Sequence, residues 1–269
     1  MADFTAKDVK SLRDSTGAGM MDAKRALTEN DGDFDRAARW LRERGLGKAA
    51  ERAGNTNSEG AVGVAVSADG RSAALVELKS ETDFGAKSPQ FVELVGRLAE
   101  RVAEAGEGAA AEEGDAIDDL KVTLKENVEL GRVVRFTAPE GHVLDTYLHV
   151  QNDRGVNAVL VELAGADPEL AHDLAVHIAF GRPQFLCREE VPVEAVAAER
   201  AAAEAQTRLE GKPEPAIAKI VEGKLAGWYK RVPGGVLLEQ PYAKDDKKSV
   251  SQHLGSAQVV RFAQVVIGD

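Results

Sequence analysis

The residues that could do chemistry in this chain are few, and their spacing argues against the familiar reactions. The segment TGAGMM (16–21) contains a G-x-G, but a helical pattern precedes it where a dinucleotide fingerprint requires a strand. GLGKAA (45–50) lacks the hydroxyl that follows a P-loop lysine and the earlier glycine of that loop. The lone cysteine, Cys187, excludes an internal disulfide framework and a thiolate metal cage, and the five histidines form no short metal-binding pair. No G-x-S-x-G elbow, H-E-x-x-H helix or D-x-D-x-D-G calcium loop occurs. A catalytic role would have to rest on scattered carboxylates and histidines, which are mostly solvated surface. The expectation is a protein with no catalytic residues, cofactor or metal of its own.

One stretch stands out for another kind of chemistry. KSETDFGAK (79–87) places two carboxylates and a single phenylalanine between a strand pattern and a helix pattern. Taken alone, Thr82 and Asp83 are either turn formers beside a core phenylalanine or, with Phe84, groups held out for binding. The elements around them bear on the choice.

The first 45 residues read as a small helical unit. Thr5 with Asp8 three residues on suggests a capped start, Val9 and Leu12 begin an apolar face, and Thr16-Gly17-Ala18-Gly19 breaks it. A second helix covers about 21–29 and a third 33–44, closed by Gly45. Residues 46–59, LGKAAERAGNTNSE, form a linker whose first half can be helical. From Gly60 the period becomes that of strands: 61–67 and 72–79 flank a turn, and Ser88-Pro89 reads as a cap opening an amphipathic helix over 89–105. Residues 106–119 are acidic and read as irregular.

A second copy of this unit follows. Strands 143–150 and 156–163 flank a turn, Asp167-Pro168 repeats the cap, and AALVEL (73–78) matches AVLVEL (158–163). The second copy joins Leu163 to its capping residue with three residues, whereas the first uses nine between Leu78 and Ser88. KSETDFGAK therefore contains six residues that the connection does not need, and loops set on a rigid sheet are where binding groups are displayed. Beyond residue 187 an Ala/Glu/Arg-rich helix to about 210 and a return helix from 214 to 231 read as an antiparallel hairpin, and 259–267 as a last strand.

Composition sets the partner class. The chain has 269 residues and a net charge of -11, and residues 1–44 are balanced at nine acids and nine bases, so the excess acid lies beyond them. Such a surface does not neutralise phosphates, and a protein partner is expected rather than free nucleic acid. No apolar run is long enough to span a membrane, and the early Asp3 and Asp8 do not suit a targeting peptide, so the cytoplasm is the expected location.

Four stretches, VKSLRDSTGAGMMDAKRAL (9–27), SETDFGAK (80–87), HIAFGRPQFL (177–186) and KPEPAIAKIVEGKL with LLEQPYAKDDKKSV (212–225, 237–250), resemble elongation factor Ts, in order and from about residue 5 to 262. The resemblance implies an α+β protein: an N-terminal three-helix ubiquitin-associated-like domain (1–45), a linker (46–59), and two related α/β halves (60–140 and 141–269), the second interrupted by a protruding antiparallel helical hairpin (188–235). It also implies guanine-nucleotide exchange on elongation factor Tu in its GDP-bound and nucleotide-free forms, by disturbing the partner's magnesium and phosphate site. It leaves homodimerisation of the complex open. A passive adaptor that docks without accelerating nucleotide release is the alternative.

By the same resemblance, Arg13, Met20, Met21 and Lys24 meet the partner's GTPase domain, although the methionines could instead fill gaps in the small bundle. Thr82, Asp83 and Phe84 are inserted beside the partner's nucleotide site, and His149 touches a more distal partner domain or is an ordinary strand residue. Tyr242, Ala243 and Lys244 are weaker candidates for that distal contact. Gly85 stands where the family usually has valine, which implies one apolar contact fewer and a looser loop. Longer members add a C-terminal helix, so binding is expected to rest on the bundle and the core.

Overall fold

The computed structural model describes residues 4–268. Three helices come first: α1 (Ala6–Thr16), α2 (Met20–Glu29) and α3 (Phe34–Ala50). Thr5 and Asp8 form the reciprocal capping box that their spacing suggests, with the Asp8 backbone N–H donating to Thr5 Oγ1 at 3.3 Å and the Thr5 backbone N–H to Asp8 at 2.7 Å. Val9, Leu12, Ala23, Ala26, Leu27, Ala37 and Leu41 close the small core between the three helices.

Gly45 does not end α3, which continues to Ala50. The reason is packing. A Cβ at position 45 would lie 2.6 Å from Cγ1 of Val122, so the missing side chain lets α3 press against a later helix, and that contact outweighs the low helix propensity of glycine. Arg42 completes the seam by pairing with Asp115 at 2.9 Å and Asp119 at 3.2 Å.

The first sheet is antiparallel, in the order β1 (Glu59–Val66), β2 (Ser72–Ser80), β3 (Val128–Thr137). Between β2 and β3 run the one-turn helix α4 (Asp83–Ala86), the long α5 (Pro89–Ala105), a 3-10 segment (Glu107–Glu113) and α6 (Gly114–Leu124). Residues 106–119 are thus not irregular. Ala109, Ala110, Ile117 and Leu120 are buried, and this thin apolar face suffices to hold an otherwise acidic segment on the core. The second sheet repeats the plan as β4 (His142–Gln151), β5 (Arg154–Ala164) and, last in sequence, β8 (Gln258–Val266), with α7 (Pro168–Gly181) following β5. Between α7 and β8 lie α8 (Val193–Leu209), α9 (Glu214–Tyr229), the short strands β6 (Pro241–Tyr242) and β7 (Asp245–Ser249), and α10 (Val250–Leu254).

Side-chain alternation on the two middle strands sets the layering. Ala74, Val76 and Leu78 of β2 face α5, while Ala73 and Leu75 face the other sheet. Val159, Val161 and Leu163 of β5 face α7, while Ala158 and Leu160 meet Leu75, Val62 and Ala263 between the sheets. The core is therefore helix, sheet, sheet, helix, and its middle strands are apolar on both faces because both faces are covered. A Cβ on Gly155 would sit 2.1 Å from the Val62 carbonyl oxygen, so the sheets touch backbone to backbone there. The fold is mixed helix and sheet, α+β in class. Helices α8 and α9 lie along each other through Ala203, Ile217, Val221 and Leu225, laced by Arg200–Glu222, Arg208–Glu214 and Lys224–Glu210 pairs.

Candidate protein-binding site

The nine residues of KSETDFGAK divide into a frame and a tip. Lys79 and Ser80 still belong to β2, Glu81 and Thr82 turn the chain, and α4 is the added element, a single helical turn where the sequence suggested an open loop. Thr82 caps that turn: its Oγ1 accepts from the Gly85 backbone N–H at 3.1 Å. Two carboxylates cross at the base. Glu81 accepts the Asn127 backbone N–H at 2.5 Å and the Asn55 side-chain amide at 2.9 Å, and Glu126 accepts from Ser80 Oγ at 2.7 Å and from Thr82 Oγ1 at 2.6 Å. Thr82 is therefore exposed, but its hydroxyl is committed to the frame.

The tip is Asp83 and Phe84. Phe84 is 76% exposed, whereas Phe91, seven residues on in α5, is fully buried. Leaving a large apolar side chain in water forgoes roughly 1.5–3 kcal/mol of burial, so nothing in the stability of the fold accounts for Phe84. Lys87 holds both tip groups from one side, with Nζ 3.2 Å from the Asp83 carboxylate and 4.8 Å from the centre of the Phe84 ring. Exposed contacts of this kind contribute at most about 1 kcal/mol each, enough to bias the tip and little enough for a partner to displace.

Gly85 does not loosen the turn. It is buried, and a Cβ there would lie 2.5 to 2.9 Å from the carboxylate atoms of Glu126. The glycine is a space requirement that lets the carboxylate close over the turn.

The N-terminal candidates gather at the junction of α1 and α2. Arg13 lies near the end of α1, and Met20, Met21 and Lys24 occupy the first turns of α2, all exposed. Met20 is 46% and Met21 73% exposed, and neither joins the small core, so the gap-filling alternative does not hold. Asp14 to Ala18 share the lining of one groove, about 410 Å³, with Gln90 of α5.

His149 stands on the edge strand β4 opposite Asn157, exposed beside Val150, which is 56% exposed. No hydrogen bond, ion pair or ring contact among the described residues ties it to the other candidates. Tyr242 is 1% exposed, stacked on His253 at 3.8 Å between ring centres and tilted on His177 at 5.6 Å, so its ring serves the second core and not a surface. Burial, with the Asp173 carboxylate beside it, pushes its phenol up to about 12. Ala243 and Lys244 are exposed.

A cleft of about 680 Å³ lies between the halves and is lined by Lys79, Arg132, Arg231 and Glu190 among others, with no serine, cysteine or histidine. Among the described residues no helix is long and apolar enough to cross a membrane. Residues missed at the sequence level are Glu126, Asn127 and Lys87; the first two come from the start of β3's approach, distant in sequence from the turn they hold.

Residues 81–269 match the family described as Elongation factor TS. The chain is 44% identical, over the whole of both chains, to "Elongation factor Ts" of Streptomyces griseus subsp. griseus. It is 44% identical to the protein of that name from Acidothermus cellulolyticus over 100% of this chain and 99% of the relative. With the one from Nitratidesulfovibrio vulgaris the identity is 42%, over 96% of this chain and 95% of the relative.

Proposed function

The chain belongs to the elongation factor Ts family, and from that premise we propose that it is a guanine-nucleotide exchange factor acting on elongation factor Tu in the cytoplasm, without catalytic chemistry of its own. The observation that carries this reading is Phe84, a phenylalanine left in water on a capped and braced turn that the second half of the core lacks. A turn held in one geometry loses little freedom on binding and can press on a partner without yielding, which a distorting group requires. In this reading the three N-terminal helices form a ubiquitin-associated-like domain that runs to the end of α3 at Ala50 rather than to residue 45, the residues from 51 to 59 link it to the halves 60–140 and 141–269, and α8 with α9 form the hairpin within 188–235.

Arg13, Met20, Met21 and Lys24 anchor the GTPase domain of the partner, His149 anchors a more distal domain, and Asp83 with Phe84 enter beside the magnesium and phosphate site. Free energy explains the division. A GTPase that holds GDP at about nanomolar affinity has roughly 12 kcal/mol of binding to lose, and weakening it a thousandfold takes about 4 kcal/mol of coupling. Linkage makes factor and nucleotide weaken each other equally, so the factor must bind the empty partner more tightly than the GDP-bound one. One exposed turn cannot supply this after the entropy lost on association, but separate anchors can hold the partner while the turn distorts it.

The test is release of fluorescent GDP preloaded on elongation factor Tu, chased with excess unlabelled GDP. Acceleration by this protein is expected. Binding without acceleration would make it a passive adaptor instead.

A further inference from the structure

Glu126 is placed with unusual care for a carboxylate that touches nothing catalytic. Helix α6 ends at Leu124, Lys125 takes the left-handed conformation at φ 58°, and the next residue then points back across the end of β2. Its Oε2 accepts from Ser80 Oγ at 2.7 Å and from the Thr82 backbone N–H at 3.2 Å, and its Oε1 accepts from Thr82 Oγ1 at 2.6 Å.

A threonine hydroxyl has one proton. Glu126 takes it, and the same hydroxyl oxygen accepts from the Gly85 N–H at 3.1 Å, so one side chain links the carboxylate to the bond that starts α4. Bonds linked in this way strengthen one another. Gly85 lies outside the positive-φ residues, so its backbone does not demand glycine. A Cβ there would instead meet the carboxylate head, 2.5 Å (Oε2), 2.8 Å (Cδ) and 2.9 Å (Oε1) away. The head is the end of a flexible side chain, but moving it disturbs the three hydrogen bonds it accepts from Ser80 and Thr82.

We propose that Glu126 is a positioning residue for the Asp83-Phe84 turn and that Gly85 and Glu126 form a coupled pair, the absent side chain of one making room for the carboxylate of the other. The pair fixes the direction in which Phe84 projects. The proposal rests on the exchange reading for its effect on nucleotide release, but not for its effect on the turn itself.

The experiment is a double-mutant cycle with two readouts, using the full-length chain: Glu126→Ala, Gly85→Ala and both together. The first readout is amide hydrogen exchange at Thr82 and Gly85, which needs no partner. Glu126→Ala and Gly85→Ala should each speed it roughly tenfold or more, the loss of a charge-assisted hydrogen bond, and the double variant should be no faster than either single one. The second readout is GDP release from elongation factor Tu against factor concentration. Each single variant should lower the maximal rate about tenfold while the half-saturating concentration changes less than about twofold, because the anchors are untouched. Glu126→Gln, which keeps an acceptor for Thr82 Oγ1, should recover part of both losses.

Wild-type exchange rates at Thr82 and Gly85 in Glu126→Ala would overturn the proposal, and so would additive effects in the double variant. A loss confined to the half-saturating concentration would make Glu126 an anchor rather than a positioning residue and would also overturn it. If the wild-type chain failed to speed GDP release, the exchange reading would fall while the hydrogen-exchange cycle still decided whether the pair exists.

Discussion

The two halves of the core solve the same connection differently. In the second half, β5 passes to α7 through Gly165, Ala166 and Asp167, and Asp167 caps the helix by accepting the Leu170 N–H at 2.8 Å. In the first half, β2 passes to α5 through Glu81 to Ser88; these residues include a one-turn helix with its own cap, braced by the carboxylates of Glu81 and of Glu126. Both connections lead from a doubly covered strand to a helix with proline in its first turn. The fold therefore does not require the longer one, and its extra residues end in a phenylalanine that the core does not use.

The largest single-residue effect expected on nucleotide release is at the tip. Phe84→Ala should lower the maximal rate of GDP release by at least about tenfold, roughly 1.4 kcal/mol of coupling, with thermal stability unchanged because the ring is exposed. Stopped-flow release of fluorescent GDP and a melting curve check the two halves of that statement. An unchanged release rate would remove the turn from the mechanism.

Next come the glutamates of the matched strands. Glu162 is 2% exposed and accepts from Arg261 Nε and His142 Nδ1, each at 2.7 Å, whereas half-buried Glu77 accepts the Arg132 N–H at 2.9 Å. Denaturant titration should show Glu162→Ala losing about 2–3 kcal/mol and Glu77→Ala about 1 kcal/mol. Equal losses would mean that the halves are more alike than their contacts indicate.

The two caps should differ by less. Asp167→Ala should cost about 1 kcal/mol, the usual loss for a working N-cap. Ser88, its counterpart, makes no capping bond and its Oγ is buried without a partner, so Ser88→Ala should cost nothing and can stabilise the chain. Equal costs would show that position 88 caps in solution.

The smallest effect expected is a pH dependence confined to the second half. Burial is the main cause holding the His177 ring below its ordinary value of 6.5, with Gln240 opposing it and the charge of His253 adding to it. The ring is neutral: Nε2–H donates to Gln240 Oε1 at 3.0 Å and Nδ1 accepts the Ala243 N–H at 3.2 Å. The unfolded chain binds a proton near 6.5 that the folded chain resists, so this stability is present above that pH and is lost as pH falls through the folded value. Unfolding midpoints at about pH 7.5 and about pH 5.5 should therefore differ more for the wild type than for His177→Gln.

What could be read from the sequence follows from burial. AALVEL and AVLVEL are legible and alike because β2 and β5 are each covered on both sides, which leaves continuous apolar runs. β3 was not legible: Gly131, Arg132 and Arg135 interrupt its period, since much of that strand is only half buried. The acidic stretch before it hid α6, whose inward face is little more than Ile117 and Leu120. At the site, the added length and Phe84 were visible at once, but the frame was not. Glu126 reaches Ser80 and Thr82 across 46 and 44 positions of sequence, and no local pattern marks such a pairing. For the same reason Gly85 read as slack, when its neighbour in space shows it to be room for a carboxylate.

The central claim is that the added turn carries exchange and the rest of the molecule carries binding. Replacing residues 80–88 by Gly-Ala-Asp, the sequence at 165–167, removes the six extra residues and gives the first half the connection of the second. Measured together on one preparation, affinity for elongation factor Tu should be largely kept, and release of fluorescent GDP should fall to the spontaneous rate. A chain so shortened that still accelerates GDP release would contradict the account.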